Sequence, residues 1–178
     1  MGGRGERVPP RIAWAVELLD VGPDDRILEF GCGPGVAVSL VCRRLDRGRI
    51  TAIDRSATAI RRTLARNSAC VDAGRAVVEQ VELARFGGGP GEFDKAFAVN
   101  VNVFWTSEAR AECEVLARVL RPGGVLRLVY GGPPPGEGTV GRDVGPDVAA
   151  RLRRHGFSTE VTADAAPGAL CVTGRRSP

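Results

Sequence analysis

The run Glu29-Phe30-Gly31-Cys32-Gly33-Pro34-Gly35 carries the clearest chemical potential in the chain. Glycines at alternate positions let the backbone turn tightly and come close to a ligand, because no Cβ stands in the way. A helix opening directly after them presents free amides to a carboxylate or a phosphate. Asp54, at the end of the next apolar run, is placed to accept the hydroxyls of an adenosine ribose. A dinucleotide fingerprint needs a glycine three residues after Gly33, and that position is Val36. Glu29 narrows the choice further, since it repels a pyrophosphate and attracts an ammonium or a sulfonium. Cys32 reads as a small residue chosen for space rather than as a nucleophile.

These residues need elements to hold them, and the patterning supplies a strand, a loop and a helix in turn. Arg26 to Phe30 reads as a short buried strand and Val36 to Leu45 as an apolar helix. Arg49 to Asp54 is a second strand, followed by a helix capped at Ser56, with Ile60 and Leu64 on one face and Gly74 as its stop. Ala76 to Glu79 is a weaker third strand, Phe86 to Gly91 a loop, and Phe93 to Val101 a fourth strand covered on both faces. Thr106 or Ser107 caps a helix with Ala109, Cys113, Leu116 and Leu120 along one stripe, and Pro122-Gly123-Gly124 turns the chain into the strand Val125 to Tyr130. Ahead of all these, Pro10 opens a helix with Ile12, Val16 and Leu19 at helical spacing. Behind them, Gly131 to Gly145 is a Pro- and Gly-rich loop and Pro146 opens a short helix stopped by Gly156. Phe157 to Ala163 and Ala169 to Gly174 form a closing antiparallel hairpin through residues 164 to 168.

S-adenosylmethionine carries both an ammonium and a sulfonium beside its adenosine, and it satisfies Glu29 and Asp54 together. With that ligand in view, the chain from about Pro10 to Arg175 resembles the class I S-adenosylmethionine-dependent methyltransferases. Ile27 to Gly35 is similar to their first motif and Ile50 to Ser56 to their second, while Phe93 to Asn100 looks like their fourth strand and Leu120 to Gly124 like the approach to their fifth. The resemblance implies a Rossmann-like seven-stranded α/β sheet, five strands parallel plus a C-terminal antiparallel hairpin, with helices on both faces. It implies a small stand-alone bacterial member, one domain over residues 1–178 with residues 1–9 flexible. Gly31, Cys32, Gly33 and Gly35 are expected around the methionine part of the cofactor and Glu29 toward its ammonium. Asp54 is expected at the ribose, Arg55 beside the adenine, and Asn100 and Val101 near the sulfonium. Many relatives place an Asp after the third strand to meet the adenine amino group; here Val81 and Glu82 stand near that spot.

The implied reaction is transfer of a methyl group to a small-molecule acceptor by in-line displacement, leaving S-adenosylhomocysteine. The alternative is a cofactor-binding regulatory or partner subunit without methyl transfer of its own. Open α/β sheets bind ligands at the carboxyl ends of their strands, so Trp105 and Tyr130 are candidates for the acceptor pocket, with Trp14 as a lid from the first helix. No residue stands out as the catalytic base. The single histidine, His155, lies in an Arg-rich stretch at a helix end and reads as a dipole partner.

Composition sets the remaining bounds. With 178 residues and 43% apolar side chains the chain can bury one core. No apolar run is long enough for a membrane helix, and Met1 to Pro10 has no leader-like core, so a cytoplasmic location is expected. The net charge of +4 invites a nucleic-acid reading, but the Arg-rich segment Arg43 to Arg66 has no Lys and no aromatic residue, which argues against one. A homodimer stays open. The five cysteines are scattered and hold no C-x-x-C, so they are expected to be reduced, buried and free of metal.

Overall fold

A strand covered on both faces must satisfy two layers at once, and β1 (Arg26–Phe30) does so by alternation. Ile27 packs into one apolar cluster with residues of α1 (Pro10–Leu19) and α2 (Val36–Cys42). Leu28 and Phe30 enter a second cluster with α6 (Arg110–Val119) and α7 (Gly145–Arg154). The same alternation recurs in β4 (Phe93–Val99), where Phe97 faces the first cluster and Ala96 and Ala98 the second. Helices therefore cover both faces, as the doubly wound reading requires.

The structure, a computed structural model, describes residues 8–131, 144–163 and 168–178. Residues 1–7, residues 132–143 of the expected Pro- and Gly-rich loop, and the hairpin turn at 164–167 lie outside the described residues. The other strands are β2 (Arg49–Asp54), β3 (Ala76–Gln80), β5 (Leu120–Gly131), β6 (Phe157–Ala163) and β7 (Ala169–Arg176). They form one seven-stranded sheet in the order β3-β2-β1-β4-β5-β7-β6. Strands β1 to β5 pair in parallel, with Leu28 beside both Thr51 and Ala96, and β7 runs antiparallel to β5 and β6. The expected fold class is the one observed.

Several boundaries differ for local reasons. The helix expected from Ser56 to Gly74 is two, α3 (Ala57–Arg66) and α4 (Ser68–Asp72), because Asn67 leaves helical geometry at φ −114° and ψ 20°. Strand β4 stops at Val99 rather than Val101, since Asn100 turns into the left-handed region at φ 56°. A single helical turn, α5 (Val103–Thr106), follows. Neither Thr106 nor Ser107 caps α6 directly: Ala109 occupies that place at φ 47°, and its amide donates to the Ser107 Oγ. The Pro122-Gly123-Gly124 turn is absorbed into β5, whose Leu120 already pairs with Phe93 before a register shift.

The cysteine expectation is corrected. Cys42, at the end of α2, and Cys70, in α4, form a disulfide, while Cys32, Cys113 and Cys171 are free and buried. Sequence spacing shows no such pair because the packing of α2 against β2 and of α4 against the neighbouring β3 creates it. The bridge closes a loop with a sequence separation of 28, for which the chain-entropy argument gives roughly 3 to 4 kcal/mol of stability. A Cys42→Ser/Cys70→Ser variant is expected to lose about that much in denaturant unfolding under non-reducing conditions. In the presence of a reductant the two proteins should unfold alike.

Candidate active site

The glycine loop follows β1, and its shape is set by what surrounds it. Gly31, Gly33 and Gly35 have φ of 67°, 54° and 74°, values that side chains rarely adopt. A Cβ on Gly31 would stand 2.6 Å from Val101 Cγ2, and one on Gly35 would meet Asn67 and Thr63 at 2.7 to 2.8 Å. Gly33 is different: a Cβ there meets nothing within 4 Å. Gly31 and Gly35 are thus glycines for packing, whereas Gly33 borders open space.

Helix α3 clamps the loop from below. Thr63 donates its hydroxyl to the Gly33 carbonyl at 2.9 Å, Arg66 donates to the Pro34 carbonyl at 2.8 Å, and Asn67 donates to the Gly35 carbonyl at 3.0 Å. Asn67 also accepts from the Ser39 hydroxyl at 2.6 Å, which ties α2 to the same point. The sequence reading missed this clamp. Its signal was the pair Thr63 and Asn67 at i and i+4, one face of a helix otherwise rich in arginine.

Asp54 joins the loop to the end of β2. One carboxylate oxygen accepts from the Gly33 amide at 3.0 Å and the other from the Ser56 amide at 2.8 Å. A carboxylate offers about four lone-pair positions, so two amide donors leave room for two hydroxyls. Glu29 lies beneath the loop, buried, and its Oε2 has no hydrogen-bond partner among the described residues. Burial, helped by the nearby negative charge of Asp54, pushes its pKa up to about 8. Burial, with Glu29 as a lesser cause, likewise pushes the Cys32 thiol up to about 12. Such a thiol is a poor nucleophile, in line with the packing role expected of it.

A cavity of about 550 Å³ opens at the carboxyl ends of β1, β2, β3 and β4. It brings together Gly31, Asp54, Arg55, Val81, Glu82, Asn100 and Val101 from the expected set. Phe30, Leu83, Val99, Asn102, Val103, Thr106 and Glu112 also line it and were not foreseen. Most of them come from α5, α6 and the short turn after β3, whose approach is a matter of tertiary packing. Near β3 the Val81 amide is already given to the Asp54 carbonyl at 3.1 Å, and Glu82 is paired with Arg85 at 2.8 Å. Asn100 donates to the Gly131 carbonyl at 3.4 Å and accepts from the Gly131 amide at 3.1 Å, which fastens the ends of β4 and β5 together.

Three aromatic candidates lie away from this cavity. Trp14 packs on the opposite side of the sheet beside Val129 and Cys171, and Trp105 packs against the core that holds Phe104. Tyr130 is buried in that same core. From α5 the cavity instead takes Val103 and Thr106. His155 is the C-cap of α7, the helix-end position expected for it.

The residues present fit an S-adenosylmethionine in two respects. The buried carboxyl group of Glu29, whose Oε2 has no hydrogen-bond partner among the described residues, matches an ammonium, and the space in front of Gly33 lets a ligand approach the backbone of the loop.

Comparisons with known proteins agree. A family model described as "Methyltransferase domain" matches residues 27–124, more than half of the chain. A trans-aconitate 2-methyltransferase of Paracidovorax citrulli (strain AAC00-1) is 29% identical over 102 residues, which are 57% of this chain and 37% of that protein. The match thus spans little more than a third of that relative's length. Among solved structures, an S-adenosylmethionine-dependent methyltransferase from Aquifex aeolicus aligns with a TM-score of 0.75 at 17% identity, covering 92% of this chain and 88% of that one. The [4+2]-cyclase SpnF gives the same TM-score at 16% identity, over 93% of this chain and 80% of its own. These structural likenesses establish the fold. With the matched family and the motif geometry beside them, the chain belongs to the methyltransferase-domain family, within the class I S-adenosylmethionine-dependent methyltransferases.

Proposed function

We propose that the chain transfers a methyl group from S-adenosylmethionine to a small-molecule acceptor. One observation carries the reading: the cavity of about 550 Å³ is in the range of sites that enclose small ligands, and it joins Gly31, the first glycine of the loop, to Asp54, Asn100 and Val101. Glu29 is assigned to the methionine ammonium, Asp54 to the ribose hydroxyls, and Arg55, Val81 and Glu82 to the surroundings of the adenine. The matched relative's name, a trans-aconitate 2-methyltransferase, supports an acceptor of metabolite size.

When bound, the cofactor supplies a methyl group already activated by its sulfonium. The work left to the chain is orientation, which alone can account for several kcal/mol of a barrier. Val101 packs directly on Gly31, and the Asn100 bridge to Gly131 fixes where β4 ends, so the wall behind the reacting centre is rigid. Incubation with S-adenosylmethionine and a panel of phenols, amines and carboxylic acids should yield S-adenosylhomocysteine with at least one class. Tight cofactor binding without turnover on any of them would favour a regulatory subunit instead.

A further inference from the structure

Two short paths join the Cys42–Cys70 bridge to the glycine loop. Cys70 follows Asn67 by three residues, and its amide donates to the Asn67 carbonyl at 2.9 Å. Cys42 follows Ser39 by three residues on α2. The Ser39 hydroxyl donates to the Asn67 side chain at 2.6 Å and also lies 3.2 Å from the Gly35 carbonyl. Both paths end where Asn67 donates to that carbonyl at 3.0 Å. The junction has no slack: a Cβ on Gly35 would stand 2.7 Å from Asn67 Nδ2 and 2.8 Å from Thr63, and both of these residues are buried.

Helices α2 and α4 otherwise meet mainly through α3, so the bond between their cysteines fixes the spacing of the elements that grip the loop. Once that bond is broken, the two sulfurs must separate to van der Waals distance. Both cysteines are buried in the cluster that holds Ala37, Val38 and Ile60, and a packed interior transmits such a displacement rather than absorbing it. The bridge is nevertheless within reach of a reagent, one layer beneath the exposed Arg43, Ala69 and Ala73. Arg75 spans it: the amide donates to the Cys70 carbonyl at 3.0 Å, and the guanidinium donates to the Cys42 carbonyl at 3.5 Å and the Leu45 carbonyl at 3.3 Å. A cation in this place favours the thiolate that leaves when a disulfide is attacked.

Resting on the cofactor assignment above, we propose that Cys42 and Cys70 are a reversible redox site, and that their bond sets the affinity for the cofactor through the clamp on the glycine loop. The co-reactant is a dithiol. One of its thiolates attacks a sulfur of the bridge, breaks the S–S bond, forms a mixed disulfide and releases the other cysteine as a thiolate. Its second thiolate then displaces the cysteine still attached. Two electrons pass from the dithiol to the bridge, two protons end on the cysteine thiols, and the dithiol leaves as a disulfide. The oxidised chain holds the loop in its binding shape, and the reduced chain holds it loosely.

The test compares the full chain, untreated and reduced with dithiothreitol, using S-adenosylhomocysteine as the ligand. Thiol titration in denaturant should count three free thiols before reduction and five after it. Calorimetry should show an affinity at least about fivefold weaker in the reduced chain, the lower end of ordinary coupling between two sites. Linkage demands the reciprocal effect: saturating S-adenosylhomocysteine should shift exchange with dithiothreitol toward the bridge by the same factor. Cys42→Ser/Cys70→Ser should bind like the reduced chain with or without reductant. Ser39→Ala, which cuts one path, should narrow the difference between the oxidised and reduced affinities; an undiminished difference would remove the clamp as the link. A bridge that only staples the fold lowers resistance to denaturant when lost, yet leaves the affinity and the exchange equilibrium unchanged, and that result would overturn the proposal. So would five free thiols in the untreated chain, or a reduced chain that loses its far-ultraviolet circular dichroism. Should the double variant fail to fold, the reciprocal measurement on the unmodified chain decides. Failure of the oxidised and reduced chains alike to bind S-adenosylhomocysteine would overturn the cofactor assignment and the redox site with it.

Discussion

Replacing Asp54 with alanine should weaken S-adenosylhomocysteine binding by about a hundredfold, measured by calorimetry on the purified chain. The expectation follows from what its two oxygens hold. The Gly33 amide at 3.0 Å and the Ser56 amide at 2.8 Å are charge-assisted bonds that fix the loop and the start of α3, and the ribose is assigned to the lone pairs that remain. Hydrogen bonds to a charged group contribute about 1.5–3 kcal/mol each, and a hundredfold change needs only about 2.7 kcal/mol. Folding stability should fall by less, about 1 kcal/mol, because what the free chain loses is chiefly a cap-like contact, while the backbone bond from the Val81 amide to the Asp54 carbonyl survives. Asp54→Asn should lie between the two, since one of its terminal atoms can no longer accept. Unchanged affinity in Asp54→Ala would remove the ribose assignment and with it the orientation of the cofactor in the cavity.

The difference between what the residues announced and what they concealed has a physical basis. The strand Arg26 to Phe30, the glycines after it and Asp54 are local features: alternation, missing Cβ atoms and an acidic strand end can be read within a few residues of one another. The clamp of Thr63 and Asn67 on the loop is half legible, because i and i+4 define a face but not what that face meets. The Cys42–Cys70 bridge is not legible at all, since its partners sit on different helices that only packing brings together. The aromatic candidates stand outside the cavity lining for a related reason. Chain position puts Trp105 just after β4, yet the single turn of α5 rotates Val103 and Thr106 toward the cavity, while Phe104 is fully buried and Trp105 packs on the core. Rotation within one helical turn is decided by the core, where burying a large ring stabilises the fold by up to about 3 kcal/mol, and not by the pattern of a four-residue segment.

Glu29 should make cofactor binding depend on pH in a direction opposite to its effect on the free chain. Its pKa in the folded protein is raised from the ordinary glutamate value of 4.5 to about 8, first by burial and then by the charge of Asp54. Between about pH 5 and pH 8 the folded chain therefore holds a proton that the unfolded chain releases. The stability this provides is fully present below the unfolded pKa and is lost as pH rises through the folded one, with a slope of at most about 1.4 kcal/mol per pH unit. A Glu29→Gln variant has nothing to ionise at this position, so its unfolding free energy should show a weaker decline across that window. Binding runs the other way. If the ionised form of Glu29 meets the cofactor's ammonium, binding below pH 8 must release the proton, and affinity should rise by about tenfold per pH unit. The clean interval is pH 5 to 7, where an α-amino group with a pKa near 7.7–8.0 remains charged. Calorimetry in buffers of different ionisation enthalpy would report close to one proton released per S-adenosylhomocysteine bound at pH 6. Glu29→Gln should release none and bind with an affinity nearly independent of pH in this interval. A wild-type affinity that is flat from pH 5 to 7, with no proton release, would remove Glu29 from the ammonium and leave its unpartnered oxygen as a feature of the free fold alone.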